Sequence, residues 1–452
     1  MRNTFSTQSS MMARTKSIFF FFSLLLILGV VAAQEVAKSE SEALGKEEEE
    51  KRETLEIIIG GGGGSPAPSP ESPCPPPPPS RLEKAKRVLL RFKTLIDDPN
   101  CYTQTWTQNR NVCDFRGVRC APYPNTKEPA VAGVDLNGAR VTGQNGCPLP
   151  VEGTLVDQIP ELTFFHVNSN GFAGGVPKGI TKFPFFYELD LSNNRVTGNF
   201  PIDAITAKTL VFLDLRFNRL TGSIPAELFT KDLDVIFVNN NQFTQSLPEN
   251  FGSTTARYLT FANNKLSGAL PRSVGYAPNL TEVLFLNNSF QGCLPFEIGY
   301  LKKAVVFDVS KNSLTGPIPL SFGCLKSIRY LNLEQNKFYG VVPDNLCMLP
   351  SLRNNGNISL ADNYFKEIGP SCWSLIKSKV LDVSRNCIPG LPNQKSPKEC
   401  YDFYCKIKAC PNPNSLYYVP CKSHWGNNQS PKTGPPSAPV TYNTLKPHRL
   451  RL

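Results

Sequence analysis

The chain has 452 residues, a formal net charge of +11, 40% hydrophobic residues, 14 cysteines and three histidines. That length permits a large core, so no metal or staple is needed to make the chain fold at all. Three histidines, none beside a Ser or Cys nucleophile motif, and the lack of a phosphate-cradling or metal-binding motif argue against an enzyme with a cofactor or a catalytic metal.

In chain order, Arg14 and Lys16 precede an apolar run from Ile18 to Ala33 that ends in small residues. This is the pattern of a secretory signal peptide over 1–33, and no later stretch is long and apolar enough to predict a transmembrane segment. Residues 34–80 read as a linker: the acidic run Glu47 to Glu50 should be disordered, Gly60 to Gly64 flexible, and Pro75 to Pro79 a stiff polyproline II spacer. Cys74 in that spacer offers a route to a disulfide-linked dimer. From Arg81 to Ile96, residues Leu82, Ala85, Val88, Leu89, Phe92 and Ile96 fall at helical spacing, so 81–130 is expected to open with a capping helix.

Residues 131–392 carry the dominant signal. Asn170, Asn194, Asn218, Asn241, Asn264, Asn288, Asn312, Asn336, Asn363 and Asn386 return mostly every 23 or 24 residues, each in the frame L-x-x-L-x-L-x-x-N-x-L-x-G-x-I-P. The segment from Val131 to Gly143 fits the same frame with Ala139 at the Asn position. The fold class expected is an α/β repeat solenoid, a leucine-rich repeat horseshoe of 10–11 coils in which each L-x-L core is a short strand and each Asn satisfies backbone groups at the turn. The 31-residue step to Asn170 and the 27-residue step to Asn363 mark insertions. A solenoid exposes apolar core at both ends, so the cysteines before the repeats and those from Cys372 to Cys421 predict disulfide-stapled caps, the second over 393–421. Their connectivity is left open. Residues 422–452 lack periodicity and should form a basic, disordered tail.

Charge is uneven. Residues 130–392 hold 22 Lys and Arg against 20 Asp and Glu, 81–129 hold 10 against 5, and the chain from Asn393 holds 9 against 2. In a secreted chain, basic ends suit an acidic wall polysaccharide and make nucleic acid an unsuitable partner. Strand side chains alternate between core and solvent, so positions two, four and six before each ladder Asn face outward. They place Asp135, Glu188, Asp190, Asp214, Glu282, Asp308, Glu334 and Asp382 on one surface, eight carboxylates against Arg216 alone, with His166, Phe164, Phe212, Phe237, Tyr258 and Tyr330 between them. The candidate ligand-binding set is Phe164, His166, Glu188, Asp190, Phe212, Asp214, Arg216, Phe237, Tyr258, Glu282, Asp308, Tyr330 and Glu334. Such a surface suits a secreted basic, partly apolar peptide or protein. Sequons at Asn279, Asn287, Asn357 and Asn428 are candidate glycosylation sites, and a glycan at Asn357 would crowd the last coils, favouring binding on the first eight.

The stretch from Trp106 through Val112-Cys113-Asp114-Phe115-Arg116-Gly117-Val118-Arg119-Cys120 resembles the N-terminal cap of plant leucine-rich repeat proteins, which implies that Cys113 and Cys120 are disulfide cysteines. The G-x-I-P half-repeats, with Val131-Ala132-Gly133-Val134-Asp135-Leu136-Asn137, Tyr187-Glu188-Leu189-Asp190-Leu191-Ser192-Asn193-Asn194 and Gly292-Cys293-Leu294-Pro295, resemble the plant leucine-rich repeat extensins. That resemblance implies a secreted protein of the cell wall or apoplast whose repeats bind small, basic, cysteine-containing peptides of the rapid alkalinization factor type, in wall growth or integrity signalling. No extended Ser-Pro array follows Cys421, Ala173 and Ala269 stand where relatives often have Cys, and Cys147 and Cys324 are additional, so the sequence reads as an extensin-less relative. Two further readings stand beside it: an inhibitor of secreted polysaccharide hydrolases resembling polygalacturonase-inhibiting proteins, and a passive structural component of the wall.

Overall fold

In the computed structural model, the described residues are 78–421 apart from 125, 354, 355 and 408. The leader, almost all of the linker with Cys74, the sequon at Asn428 and the basic tail lie outside them. Among the described residues, no helix is long and apolar enough to cross a membrane.

Helix α1 (Arg81–Thr94) begins at a capping box, with Ser80 accepting from the Glu83 amide and Glu83 accepting from the Ser80 amide. It buries Ala85, Leu89 and Phe92, three of the six residues that the helical spacing singled out, and stops at Thr94. Phe92 packs on Trp106 at 6.3 Å and on Phe172 at 6.1 Å, so the cap and the first coils share one core. Trp106 stacks on Phe115 at 5.8 Å and donates Nε1–H to the Arg116 carbonyl, and Cys113 and Cys120 are joined.

From there the chain winds as the Asn ladder requires. A twelve-stranded sheet runs from Val118–Pro122, antiparallel to Pro129–Asp135, through ten further short strands to Leu381–Asp382, all parallel from Pro129–Asp135 onward. Those eleven parallel strands are the eleven L-x-L segments of the frame. Inward-facing Phe165, Leu189, Leu213, Ile236, Leu259 and Val283 are fully buried. Each side chain of the ten ladder asparagines bridges two coils: Asn218, for example, donates Nδ2–H to the Leu191, Leu215 and Arg216 carbonyls while Oδ1 accepts from the Val196 amide. The residue before each ladder Asn turns through positive φ, as at Phe217 and Asn240, which aims the Asn inward.

After the turn, each coil adds a second short strand. These form a four-stranded sheet over coils ending at Arg219–Thr221 and a six-stranded sheet from Thr244–Gln245 to Tyr364–Ile368. Short 3-10 turns such as Arg272–Tyr276 and Phe296–Tyr300 close the opposite side. Coils pack there without room for a Cβ: one built on Gly275 would lie 1.9 Å from the Glu297 carbonyl oxygen.

Both insertions have structural uses. The long step before Asn170 supplies Thr142–Gly143, which pairs antiparallel with Ile96–Asp97 and clamps the exit of α1. The step before Asn363 holds two helices, Asp344–Cys347 and Pro350–Arg353, with Cys347 bonded to Cys372.

The chain after the last coil turns back along the repeats. Helix Pro397–Tyr404 stacks Phe403 on Tyr364 at 3.6 Å, and bonds Cys293–Cys410 and Cys324–Cys421 tie this strap to coils 117 and 97 residues earlier. Cys387–Cys400 anchors its start. Cys324, which looked supernumerary in the sequence, is thus a strap anchor, whereas Cys101, Cys147 and Cys405 are exposed thiols.

Candidate protein-binding face

Strand pairing sets the outward residues of the large sheet in two rows. One runs Phe164, Glu188, Phe212, Val235, Tyr258, Glu282, Val306, Tyr330, each the register partner of the next. The other runs Asp135, His166, Asp190, Asp214, Phe237, Thr260, Leu284, Asp308, Asn332. Arg216 and Glu334 flank the second row. Every candidate residue named from the sequence therefore lies on one face, but burial divides them into three zones.

The first zone is polar and self-paired. His166 Nε2 lies 2.9 Å from Glu188 Oε2, and the Phe164 ring sits 4.8 Å from the imidazole. Burial lowers the His166 pKa, but Glu188, then Asp190 and Asp135, raise it more, so the imidazole is held above its ordinary value. Phe164 lies over Gly133, where any Cβ would strike the ring. Asp214 is fully buried. Arg216 Nε stands 2.8 Å from its Oδ2 in an ion pair whose N–H is not aligned on the oxygen, which therefore makes no hydrogen bond. Burial, and then Asp190, push the Asp214 carboxyl up to about 8 against the pull of Arg216. The Arg216 guanidinium in turn covers Phe237 at 5.1 Å.

The second zone is apolar. Phe212 meets the buried Phe237 edge to face at 6.2 Å, Tyr258 and Leu284 continue the half-buried apolar surface, and Val235 and Val306 are buried beneath it. Val235, Leu284 and Val306 were absent from the residue set read from sequence, although the same counting rule reaches them, because aliphatic residues do not stand out on an outward position. Within this zone Glu282 is half-buried, and burial alone pushes its carboxyl up to about 7. Desolvated and without a cationic neighbour, it gains most from a cation arriving on a partner.

In the third zone Asp308 is nearly buried, accepting from the Ser310 amide at 2.8 Å and from Asn332 Nδ2 at 3.1 Å. Burial raises its pKa against those hydrogen bonds. Tyr330, also beside Asp308, is pushed up to about 12, first by burial, and stays neutral, its hydroxyl oxygen accepting from Asn332 Nδ2 at 3.2 Å. Glu334 accepts from the Ser359 hydroxyl at 3.1 Å. The face therefore carries less free negative charge than eight carboxylates suggest, since Asp214 and Asp308 are buried and Arg216 neutralises part of the first zone.

Among the sequons, Asn287 is exposed, and Asn357 is exposed beside Tyr330 on this face. Asn279 is half-buried, accepting from Lys303 Nζ at 2.8 Å and donating to the Thr255 carbonyl. Among the described residues, no group of three or more His, Cys, Asp or Glu side chains converges as a metal site would require.

Residues 82–121 match the model of the leucine rich repeat N-terminal domain, and 209–230 match that of the leucine rich repeat. The pollen-specific leucine-rich repeat extensin-like protein 3 of Arabidopsis thaliana is 45% identical over 324 residues, covering 71% of this chain and 43% of that protein. Leucine-rich repeat extensin-like protein 3 of the same plant is 39% identical over 205 residues, 45% of this chain and 26% of that protein. The chain thus spans less than half the length of these relatives. A crystal structure of a plant ice-binding protein aligns over 70% of this chain and 98% of its own with a TM-score of 0.54 at 23% identity, a likeness of fold alone. The motifs of the cap, the plant-type repeats and these identities converge: over its cap and repeats the chain is a plant-type leucine-rich repeat protein similar to the leucine-rich repeat extensin-like proteins.

Proposed function

We propose that this is an extracellular protein-binding leucine-rich repeat protein that captures a basic, cysteine-containing secreted peptide of the rapid alkalinization factor type on its large sheet, in cell-wall growth or integrity signalling. The observation that carries the reading is the half-buried apolar surface of Phe212, Tyr258 and Leu284, bordered by the polar zones of Glu188 and Asp190 on one side and Glu334 on the other, with desolvated Glu282 inside it. Rings and aliphatic groups supply contact area, while carboxylates orient a cationic partner and reject an anionic one. Glu282 is the residue most changed by binding, because an arriving Lys or Arg stabilises its ionised form and releases a proton. His166 and Arg216 hold the neighbouring carboxylates in place, so the partner meets a preformed surface.

Titration calorimetry of the full chain against a basic alkalinization-type peptide, with a wall polysaccharide hydrolase as the competing ligand, tests this. Saturable peptide binding that falls at least tenfold in a Glu188→Gln, Asp190→Asn, Glu282→Gln variant is expected. Peptide binding unchanged in that variant, or tight binding to the hydrolase alone, would overturn the reading.

A further inference from the structure

The second sheets present a surface of opposite chemistry. Their strands bury Val196, Leu220, Leu266, Phe290, Leu314 and Phe338, with Phe243 buried just before Thr244–Gln245, and turn the alternate residues outward. No Asp or Glu occurs in any of the seven strands between 195 and 342. Register pairs a threonine of one coil with a cation of the next three times over: Thr197 with Arg219, Thr244 with Lys265, and Thr315 with Lys337. The three cations are exposed, and none makes an ion pair.

Where the strap crosses this surface, it encloses a cleft of about 410 Å³. Lys337 and Lys406 line it from the sheet and the strap, Gln291 and Ser313 line its floor, and Phe403 forms a wall. Its lining contains no carboxylate. Unpaired ammonium groups, uncharged donors and an aromatic wall in one groove match a ligand that is anionic, rich in hydroxyl groups and has apolar ring faces.

We propose that this flank binds a linear carboxylated polysaccharide, a uronate polymer, seated in the strap cleft through Lys337 and Lys406 and running along the stripe past Lys265 to Arg219. Adjacent coils of a parallel sheet are about 4.8 Å apart, so cations recur along the stripe at multiples of that spacing and favour an extended polymer over a compact anion. The acidic face is left free for a basic partner, so one molecule holds both at once.

The test uses the full chain and an oligogalacturonate, with a neutral cello-oligosaccharide and a single-stranded DNA of equal charge as comparisons. Wild type should bind the oligogalacturonate, and the affinity should drop at least tenfold in Lys337→Gln, Lys406→Gln and several-fold in Arg219→Gln, Lys265→Gln. Neutralising the tail with Lys432→Gln, Lys446→Gln, Arg449→Gln and Arg451→Gln should change it less than twofold. All the substituted flank cations are exposed, so an unchanged thermal midpoint identifies loss of the site rather than of the fold. The proposal is overturned if both flank variants bind as wild type, if the tail variant alone loses binding, or if DNA binds as tightly with the same dependence on Lys337 and Lys406. Peptide capture on the acidic face has its own ligand and its own variants, so either idea can fail without the other.

Discussion

The two solvent faces of the solenoid are made from the same coil, a few residues apart, and yet are chemical opposites. Before each ladder Asn the outward positions supply rings and carboxylates; after it they supply Thr, Ser, Gln, Lys and Arg. Both faces are positioned by the same element, since each Asn side chain accepts from the second-strand amide of one coil and donates to carbonyls at the end of the first strands. The comparison teaches that the ladder sets the geometry and leaves the outward residues free to diverge. On the large sheet much of that freedom has gone into internal pairing, with Arg216 covering Asp214 and Glu188 engaging His166, whereas Arg219, Lys265 and Lys337 on the other flank make no ion pair among the described residues.

The largest way to separate the faces is to release the strap. Replacing Cys293 and Cys410 by Ser opens a link across 117 residues, for which loop-closure entropy predicts a loss of about 5 kcal/mol in urea unfolding. Polyanion binding in the cleft should weaken in the folded protein, and peptide capture on the large sheet should persist. Next, Asn218→Ala should damage both faces together. It strips partners from the Val196 amide and from buried carbonyls at a cost of about 3 kcal/mol, measurable as a lowered urea midpoint.

Reversing charge on one face is a smaller and more selective change. Glu188→Lys with Asp190→Lys should cost a basic peptide about 2 kcal/mol, roughly thirtyfold in Kd by calorimetry, while oligogalacturonate affinity holds or rises. The smallest effect is a pH slope. Burial holds the free Glu282 carboxyl at about 7, above its ordinary value, and a bound cation lowers it. Binding therefore releases a proton below pH 7, and affinity should rise by up to tenfold per pH unit toward pH 7, then level off. Glu282→Gln should remove Glu282's contribution to that slope; an unchanged slope would assign it to His166, whose pKa is also raised.

Much of the fold was legible because the frame repeats. Periodic Asn and Leu positions located all eleven parallel strands, and both long steps proved to be insertions with structure of their own. The site was legible as a set of outward positions, not as an electrostatic state. Counting back from Asn218 and Asn312 finds Asp214 and Asp308, but it cannot say that Arg216 and Asn332 lean over them and remove them from solvent. The second face needed only the same count run forward from each Asn. It passed unnoticed because Thr and Lys on a strand read as ordinary solvated residues.

What the amino-acid order determined is the coil: its length, its strand, its inward apolar residues and its buried Asn, all local requirements that recur and therefore reinforce one another. What only the tertiary structure decided is long-range. The return of residues 397–421 across the flank and the pairing of Cys293 with Cys410 and Cys324 with Cys421 depend on which coils become neighbours of a segment a hundred residues away. Periodicity carries no record of such contacts, because every coil offers the strap nearly the same backbone and only a few side chains distinguish where it docks.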